Sequence, residues 1–249
     1  MAVHIKTGRE IEGIRRAGAI IGEVFEALRA AVEPGVSLKR LERLCAERIR
    51  SSDAEPTFLG YRGFPGAVCL SVNEEVVHGI PDERKLNDGD LLKADIGVTK
   101  DGFIADAART FEVGDVRPEL RELVAVTEQS FWRGAARARG GNRVRDISAA
   151  VQDYVEERGY SVVRELCGHG VGLELHEEPS VPNFVSRNRG MKLVPGMTLA
   201  IEPMVNMGGF EVDTLANGWT VVARDRKPSA HYENTVLVTE GEPVILTNV

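Results

Sequence analysis

KADIGVTKDGFIADAARTF, residues 93–111, is apolar on either side of a Lys100-Asp101-Gly102 turn signal and reads as a β-hairpin. Asp95 and Asp106 interrupt its two arms, where an ionised carboxylate is costly unless it is paired or bound to a cation. The turn length decides which way they face. A two-residue Asp101-Gly102 turn pairs Lys100 with Phe103 and sets Asp106 opposite Gly97. Asp95, two residues from Gly97, shares its face, so the aspartates become diagonal neighbours. A three-residue loop without a bulge would send them to opposite faces. Two adjacent like charges are unfavourable unless a cation lies between them, and the hairpin therefore points to one.

On the N-terminal side, Thr7-Gly8-Arg9-Glu10 matches a capping box. Ile11, Ile14, Ile21, Val24, Phe25 and Leu28 then recur at helical spacing to about Val32, before Pro34-Gly35 breaks the pattern. Ser37 opens a second helix with Leu38, Leu41, Leu44, Cys45 and Ile49 on one face, and strand-like AVCLSV and EVVHGI lead into the hairpin. The C-terminal half repeats this order. Arg121 to Arg139 and Arg143 to Arg158 read as helices with breaks at Gly140-Gly141 and Gly159, and strand-like SVVREL, MTLAIEPMV, WTVVA and NTVLVT follow. Leu38, Leu41 and Cys45 correspond to Val144, Ile147 and Val151 at a constant offset of 106, and Gly89 precedes Asp95 by six residues as Gly196 precedes Glu202. The repeat predicts an internal duplication within a single catalytic domain, residues 1–249. Its α/β-type halves, about 1–120 and 121–249, would be related by a pseudo-two-fold axis, with an acid from each meeting at the seam.

The 249 residues are 43% hydrophobic and 28% charged, ample for one large core. A net charge of −7 argues against a broad nucleic-acid footprint. Cys45, Cys69 and Cys167 are widely spaced and form no CxxC, which fits a reducing cytoplasm better than a disulfide framework. No run approaches the roughly 20 apolar residues of a membrane span, and charges between Lys6 and Arg16 interrupt any signal-peptide core. No serine lies in a G-x-S-x-G context, and HEEP lacks the second histidine of H-E-x-x-H.

Further polar residues intrude on apolar patterns. CGHGVGLELHEEP carries His169 and His176, Glu202 follows MTLAI, and Glu233 heads the β-branched run of HYENTVLVT. Asp95, Asp106, His169, Glu202 and Glu233 together offer four carboxylates and one imidazole. Lacking thiolate, the set does not suit a structural zinc site. It suits a pair of Mn, Fe, Co or Zn ions bridged by shared carboxylates. Two such ions roughly 3.5–4 Å apart can share a water and lower its pKa. Taken singly, several residues have plainer explanations: His78 as a turn histidine before Gly79-Ile80-Pro81, Tyr61 and Trp219 as core aromatics, and Cys69 as a small buried hydrophobe. His231 shares the strand parity of Glu233 and reads as a neighbour of the ligands or a surface residue.

Ten residues separate the aspartates and 33 lead from His169 to Glu202. With FLGYRGFPGAVCLSVNEEVVHGIP, CGHGVGLELHEEP, LAIEPMV and ENTVLVTEGEPVILT, the chain from about Thr7 onward resembles the methionine aminopeptidases of the type I, bacterial-like form. The resemblance implies the pita-bread (creatinase/aminopeptidase-like) fold, two pseudo-symmetric halves with an antiparallel-rich curved sheet and flanking helices. It implies a cytoplasmic, monomeric, metal-dependent hydrolase. Such an enzyme removes initiator methionine from nascent polypeptides at the ribosome, through attack of a metal-bridging water on the first peptide bond. By the same resemblance, one ion is held by Asp95, Asp106 and Glu233, and the other by Asp106, His169, Glu202 and Glu233. His78 and His176 then contact substrate, Glu202 takes the proton from the water, and Tyr61, Phe64, Cys69, Leu175 and Trp219 line the methionine pocket.

The chain departs from that family in places. Leu166 stands where Met, Phe or Tyr is usual, Phe184 where Tyr, Trp or Val is expected, Phe58 where a cysteine is common and His231 where a glutamine is common. GLELHE also echoes the Xaa-Pro peptidases of the same fold, which leaves an Xaa-Pro aminopeptidase or dipeptidase as one alternative. A catalytically silent peptide-binding module is another. VHGIP and CLSVNE favour methionine.

Overall fold

Thr7 opens the first helix as its capping box requires: its hydroxyl accepts from the Glu10 N–H while the Glu10 carboxylate accepts from the Thr7 N–H. The computed structural model describes residues 3–247. Helix α1 (Gly8–Ala31) turns Ile14, Ile21, Phe25 and Leu28 inward, and α2 (Leu38–Ser51), capped by Ser37, buries Leu38, Leu41, Cys45 and Ile49 beside it. Strands β1 (Glu55–Pro56), β2 (Cys69–Val72), β3 (Glu75–Val77), β4 (Leu91–Lys100) and β5 (Phe103–Glu112) follow. β4 and β5 pair along their whole length in the register that a two-residue turn dictates, with Lys100 opposite Phe103 and Gly97 opposite Asp106. β2 and β1 share the other edge of β4. Strand alternation sends Ala94, Ile96, Val98, Ala105 and Ala107 into the core under α1, and leaves Asp95 and Asp106 on the opposite face.

Gly18 lets α1 approach the C-terminal segment closely. A β-carbon there would lie 2.2 Å from the Leu246 carbonyl oxygen, on a backbone fixed by the Leu246 N–H bond to Thr235. Gly18→Ala is therefore expected to cost about 1–3 kcal/mol through overpacking, read as a lowered urea midpoint. An unchanged midpoint would contradict this packing.

In the second half, α3 (Pro118–Ala135) begins three residues before the expected Arg121, because Pro118 occupies the first turn, where a missing N–H costs nothing. It also stops short of Arg139: the N–H groups of Arg137 and Ala138 bond back only three residues, to Gly134 and Ala135, and tighten the chain out of the helix. α4 (Val144–Glu156) matches its expectation closely. Val144, Ile147 and Val151 are buried as their counterparts Leu38, Leu41 and Cys45 are, and Gly89 and Gly196 share φ values of 89° and 91°.

The remaining strands are β6 (Ser161–Val162), β7 (Cys167–Gly170), β8 (Glu177–Pro182), β9 (Thr198–Ile201), β10 (Met204–Asn206), β11 (Val212–Thr214), β12 (Val221–Ala223), β13 (Ser229–His231), β14 (Asn234–Leu237) and β15 (Val244–Ile245). They form an antiparallel sheet of order β15-β14-β9-β7-β8 and two three-stranded sheets, β13-β10-β6 and β11-β12-β3. MTLAIEPMV is two strands rather than one. Pro203 has no N–H for the ladder, so the chain leaves β9 at Glu202 and resumes at β10.

The four-stranded and five-stranded sheets meet at β5 and the start of β14. Ala108 and Glu233 exchange backbone hydrogen bonds (3.0 and 3.3 Å). One step further, the Thr235 hydroxyl accepts from the Asp106 N–H at 3.0 Å and donates to the Asp106 carbonyl at 2.9 Å. Asp106 and Glu233 are thus locked across the seam by their own backbones.

Candidate metal centre

Five acids and imidazoles converge on that seam. Asp95 and Asp106 stand mid-strand on β4 and β5, with carboxyl groups side by side. His169 comes from β7, Glu202 from the break after β9, and Glu233 from the residue before β14. His169 Nε2 lies 3.9 Å from Asp106 Oδ2 and 3.6 Å from Glu202 Oε1. Asp106, His169 and Glu233 offer ligand atoms within 4.8 Å of one another, and so do Glu202, His231 and Glu233. Contacts of 3.6–3.9 Å are too long for hydrogen bonds. They suit atoms sharing an ion: two ligand atoms about 2.1 Å from one centre, roughly 120–135° apart, are separated by that much.

The electrostatics agree. Burial raises Asp95 to about 7, and burial followed by neighbouring negative charge holds Asp106, Glu202 and Glu233 well above the usual carboxylate range. Asp95 Oδ1, Asp106 Oδ1 and Glu233 Oε1 are buried with no hydrogen-bond partner among the described residues. A cation would satisfy these oxygens and reverse their aversion to charge. Burial also lowers His169 to about 4, so its ring is neutral at pH 7, and its Nδ1 is bonded to the Gly170 carbonyl at 2.9 Å. Assigning the proton to Nδ1 on that bond leaves Nε2 facing the acids as a lone-pair donor. The donor set fits divalent metal ions.

The centre floors a cleft of about 290 Å³, lined by all twelve site residues that the sequence predicts. That is the low end of the roughly 300–1,000 Å³ of small-molecule sites, which suits a residue or two of an extended peptide. Phe64 meets Trp219 edge-to-face at 5.2 Å, with Cys69 and Leu175 packed into the same apolar cluster. The Cys69 thiol, pushed far up by burial, is no nucleophile. His176 stacks on Tyr61, whose hydroxyl meets its Nδ1 at 2.8 Å, and lies 4.2 Å from the His169 ring. The segment that carries Leu175 and His176 is pinned by Glu177, which accepts from the N–H groups of Leu173 and Glu174 and pairs with buried Lys6. His78 sits at φ 56°, directed to the cleft by the turn into Gly79.

Phe58, which stands at the family's cysteine position, and Leu166 line the cleft as well, whereas Phe184 does not. Arg62 and Cys167 in its walls, and two residues behind them, lie outside the ligand and pocket sets read from the sequence. Thr235 holds Asp106, and Arg109 grips the Glu233 carbonyl (2.6 Å) and Asn234 Oδ1 (2.7 Å) while lying over the Tyr232 ring. The cues existed: Thr235 shares strand parity with Glu233, and Arg109 is a third polar intrusion in the opening hairpin. His231 corrects one expectation. Of its two offered places the surface is ruled out, since the residue is 1% exposed and directly behind Glu202 and Glu233.

A carboxylate–imidazole cluster at the seam of two antiparallel sheets, opening into an apolar cleft, defines a metal-dependent hydrolase site. Residues 12–240 match metallopeptidase family M24. The chain is 49% identical over 243 residues to the methionine aminopeptidase of Clostridium perfringens, covering 98% of each. It superposes on the crystal structure of methionine aminopeptidase from Thermotoga maritima with a TM-score of 0.97, at 40% identity and full coverage of both chains. The prolidase of Pyrococcus furiosus shares the fold alone, with a TM-score of 0.81 at 23% identity, and this chain covers 65% of it. The chain belongs to metallopeptidase family M24, in its methionine aminopeptidase branch, and has the pita-bread fold.

Proposed function

We propose that this chain is a cytoplasmic methionine aminopeptidase that removes the first residue of new polypeptides at the ribosome, acting as a monomer with two divalent ions of the Mn, Fe, Co or Zn kind. One catalytic domain, built of two related halves, carries the activity. The observation that supports this best is the convergence of Asp95, Asp106, His169, Glu202 and Glu233 in a cleft of about 290 Å³ that Phe64, Cys69, Leu175 and Trp219 also line. Asp95, Asp106 and Glu233 would hold one ion, and Asp106, His169, Glu202 and Glu233 the other. When bound, the ions supply Lewis-acid activation of water and of the scissile carbonyl.

The protein's own groups do the rest. Phe64, Cys69, Leu175 and Trp219 take the methionine side chain, whose burial contributes about 1.5–3 kcal/mol. That prefers methionine without rejecting every isostere. Glu202, whose two oxygens face the cleft's centre, would receive the proton of the attacking water and return it to the leaving amine. Burial lowers His176 to about 3, so it is neutral; with Tyr61 donating to Nδ1, its Nε2–H is free to donate to the oxygen that gains charge. Burial likewise favours neutral His78, in the lining of the same cleft, as a second hydrogen-bonding imidazole. His78→Ala is expected to slow turnover by about 10²–10³-fold with metal content intact. Loss of metal instead would remove His78 from this role.

The test is a peptidase assay of metal-free protein resupplied with single divalent ions. Cleavage of Met-Ala-Ser, restored by ions and absent with an Xaa-Pro peptide, is the expected result. Xaa-Pro cleavage, or no activity with any ion, would overturn the assignment.

A further inference from the structure

We propose that His231 is itself a metal ligand, so that Glu202, His231 and Glu233 form a second imidazole-bearing cage beside Asp106, His169 and Glu233. The proposal rests on the two-ion centre above and adds to it a ligand at the position where the family commonly has glutamine. His231 is enclosed, yet neither ring nitrogen has a hydrogen-bond partner among the described residues. Buried polar atoms without partners are rare and call for an explanation. Its Nε2 lies 3.7 Å from Glu202 Oε2 and 3.9 Å from Glu233 Oε2, both beyond hydrogen-bond range. His169 stands in the same relation to Asp106 and to the other oxygen of Glu202. Glu202 therefore presents one oxygen to each imidazole, and both pairs have the spacing of atoms around a shared ion.

The backbone under His231 is fixed. Its N–H donates to Thr110 Oγ1 at 3.0 Å, its carbonyl accepts from the same hydroxyl at 2.9 Å, and it pairs with Met204 across β10 and β13. A ring held this way could at most donate one hydrogen bond, to one of the two carboxylates, leaving the other oxygen unserved. An ion serves both oxygens and the imidazole together. The second imidazole also softens the donor set, which favours Co and Zn over Mn and Mg.

Proton NMR of Co(II)-loaded protein with labelled histidine tests this directly. Two strongly contact-shifted imidazole N–H signals are expected in the wild type, from His169 and His231, and one in His231→Gln. Competition on metal-free protein should show His231→Gln losing about tenfold or more in Co(II) affinity, with a smaller loss for Mn(II). One shifted signal in the wild type with cobalt bound, or two retained in His231→Gln, would overturn the ligand role while leaving the centre standing. The wild-type count decides the matter even if the variant folds poorly. Failure to take up cobalt at all would instead sink the centre, and this proposal with it.

Discussion

Asp106→Asn is expected to lower kcat/KM for Met-Ala-Ser by about 10³-fold or more. Asp106 has the largest structural claim on both ions: it lies beside Asp95 on one side and 3.9 Å from His169 on the other. Metal activation supplies several kcal/mol of transition-state stabilisation, and each 1.36 kcal/mol is about tenfold in rate. Asparagine keeps the volume and one oxygen but removes the charge, so bound metal should fall from two ions per chain towards one or none. The Asp106 backbone is anchored to the Thr235 hydroxyl and does not depend on the carboxylate. The variant should therefore fold, and a circular dichroism melt separates lost metal from lost structure. Full activity in a folded Asp106→Asn protein would contradict the ligand assignment.

Metal removal is expected to lower the Tm, and by more as pH rises. Asp95, Asp106, Glu202 and Glu233 have folded pKa values raised above the unfolded range near 4. Each binds more protons folded than unfolded, so the stability it contributes is complete below about pH 4 and is lost as pH climbs through the folded value, about 7 for Asp95. Buried His169, His176 and His231, lowered to between about 3 and 4, act in the opposite sense up to their unfolded pKa near 6.5 and are silent above it. Lys93, lowered to about 7 by burial, opposes the acids above that pH, where Asp95 is already ionised in both states: one group against the remaining three. Between about pH 6.5 and 9 the metal-free protein should therefore lose stability, whereas the loaded protein has cations to compensate its carboxylates. At a free metal concentration 100 times Kd, binding stabilises by about 2.7 kcal/mol. For a chain of this size that is about 5–10 °C in Tm. A gap between loaded and metal-free melts that does not change with pH would count against buried, cation-compensated acids.

Local chemistry explains what could be read from the residues. The even turn at Asp101-Gly102 forced the hairpin register, and with it the shared face of Asp95 and Asp106. The Thr7/Glu10 box marked α1, and the 106-residue offset marked equivalent buried positions in two helix pairs. What stayed hidden depends on long-range partners. β7 arises in a glycine-rich stretch with little strand preference of its own, and its ladder comes from its neighbours β8 and β9. Burial of His231 follows from the way β10 and β13 close behind Glu202, which strand parity alone does not define. Thr235 and Arg109 act on the ligands through their backbones, so nothing in the ligand spacing marks them.

The most direct measurement is an anomalous-difference map from crystals grown with Mn(II) or Co(II). Two peaks about 3.5–4 Å apart, both within bonding distance of Asp106 and Glu233, are the predicted result. A map with no peak in this cleft, or a lone ion that Asp106 and Glu233 do not touch, would contradict the account.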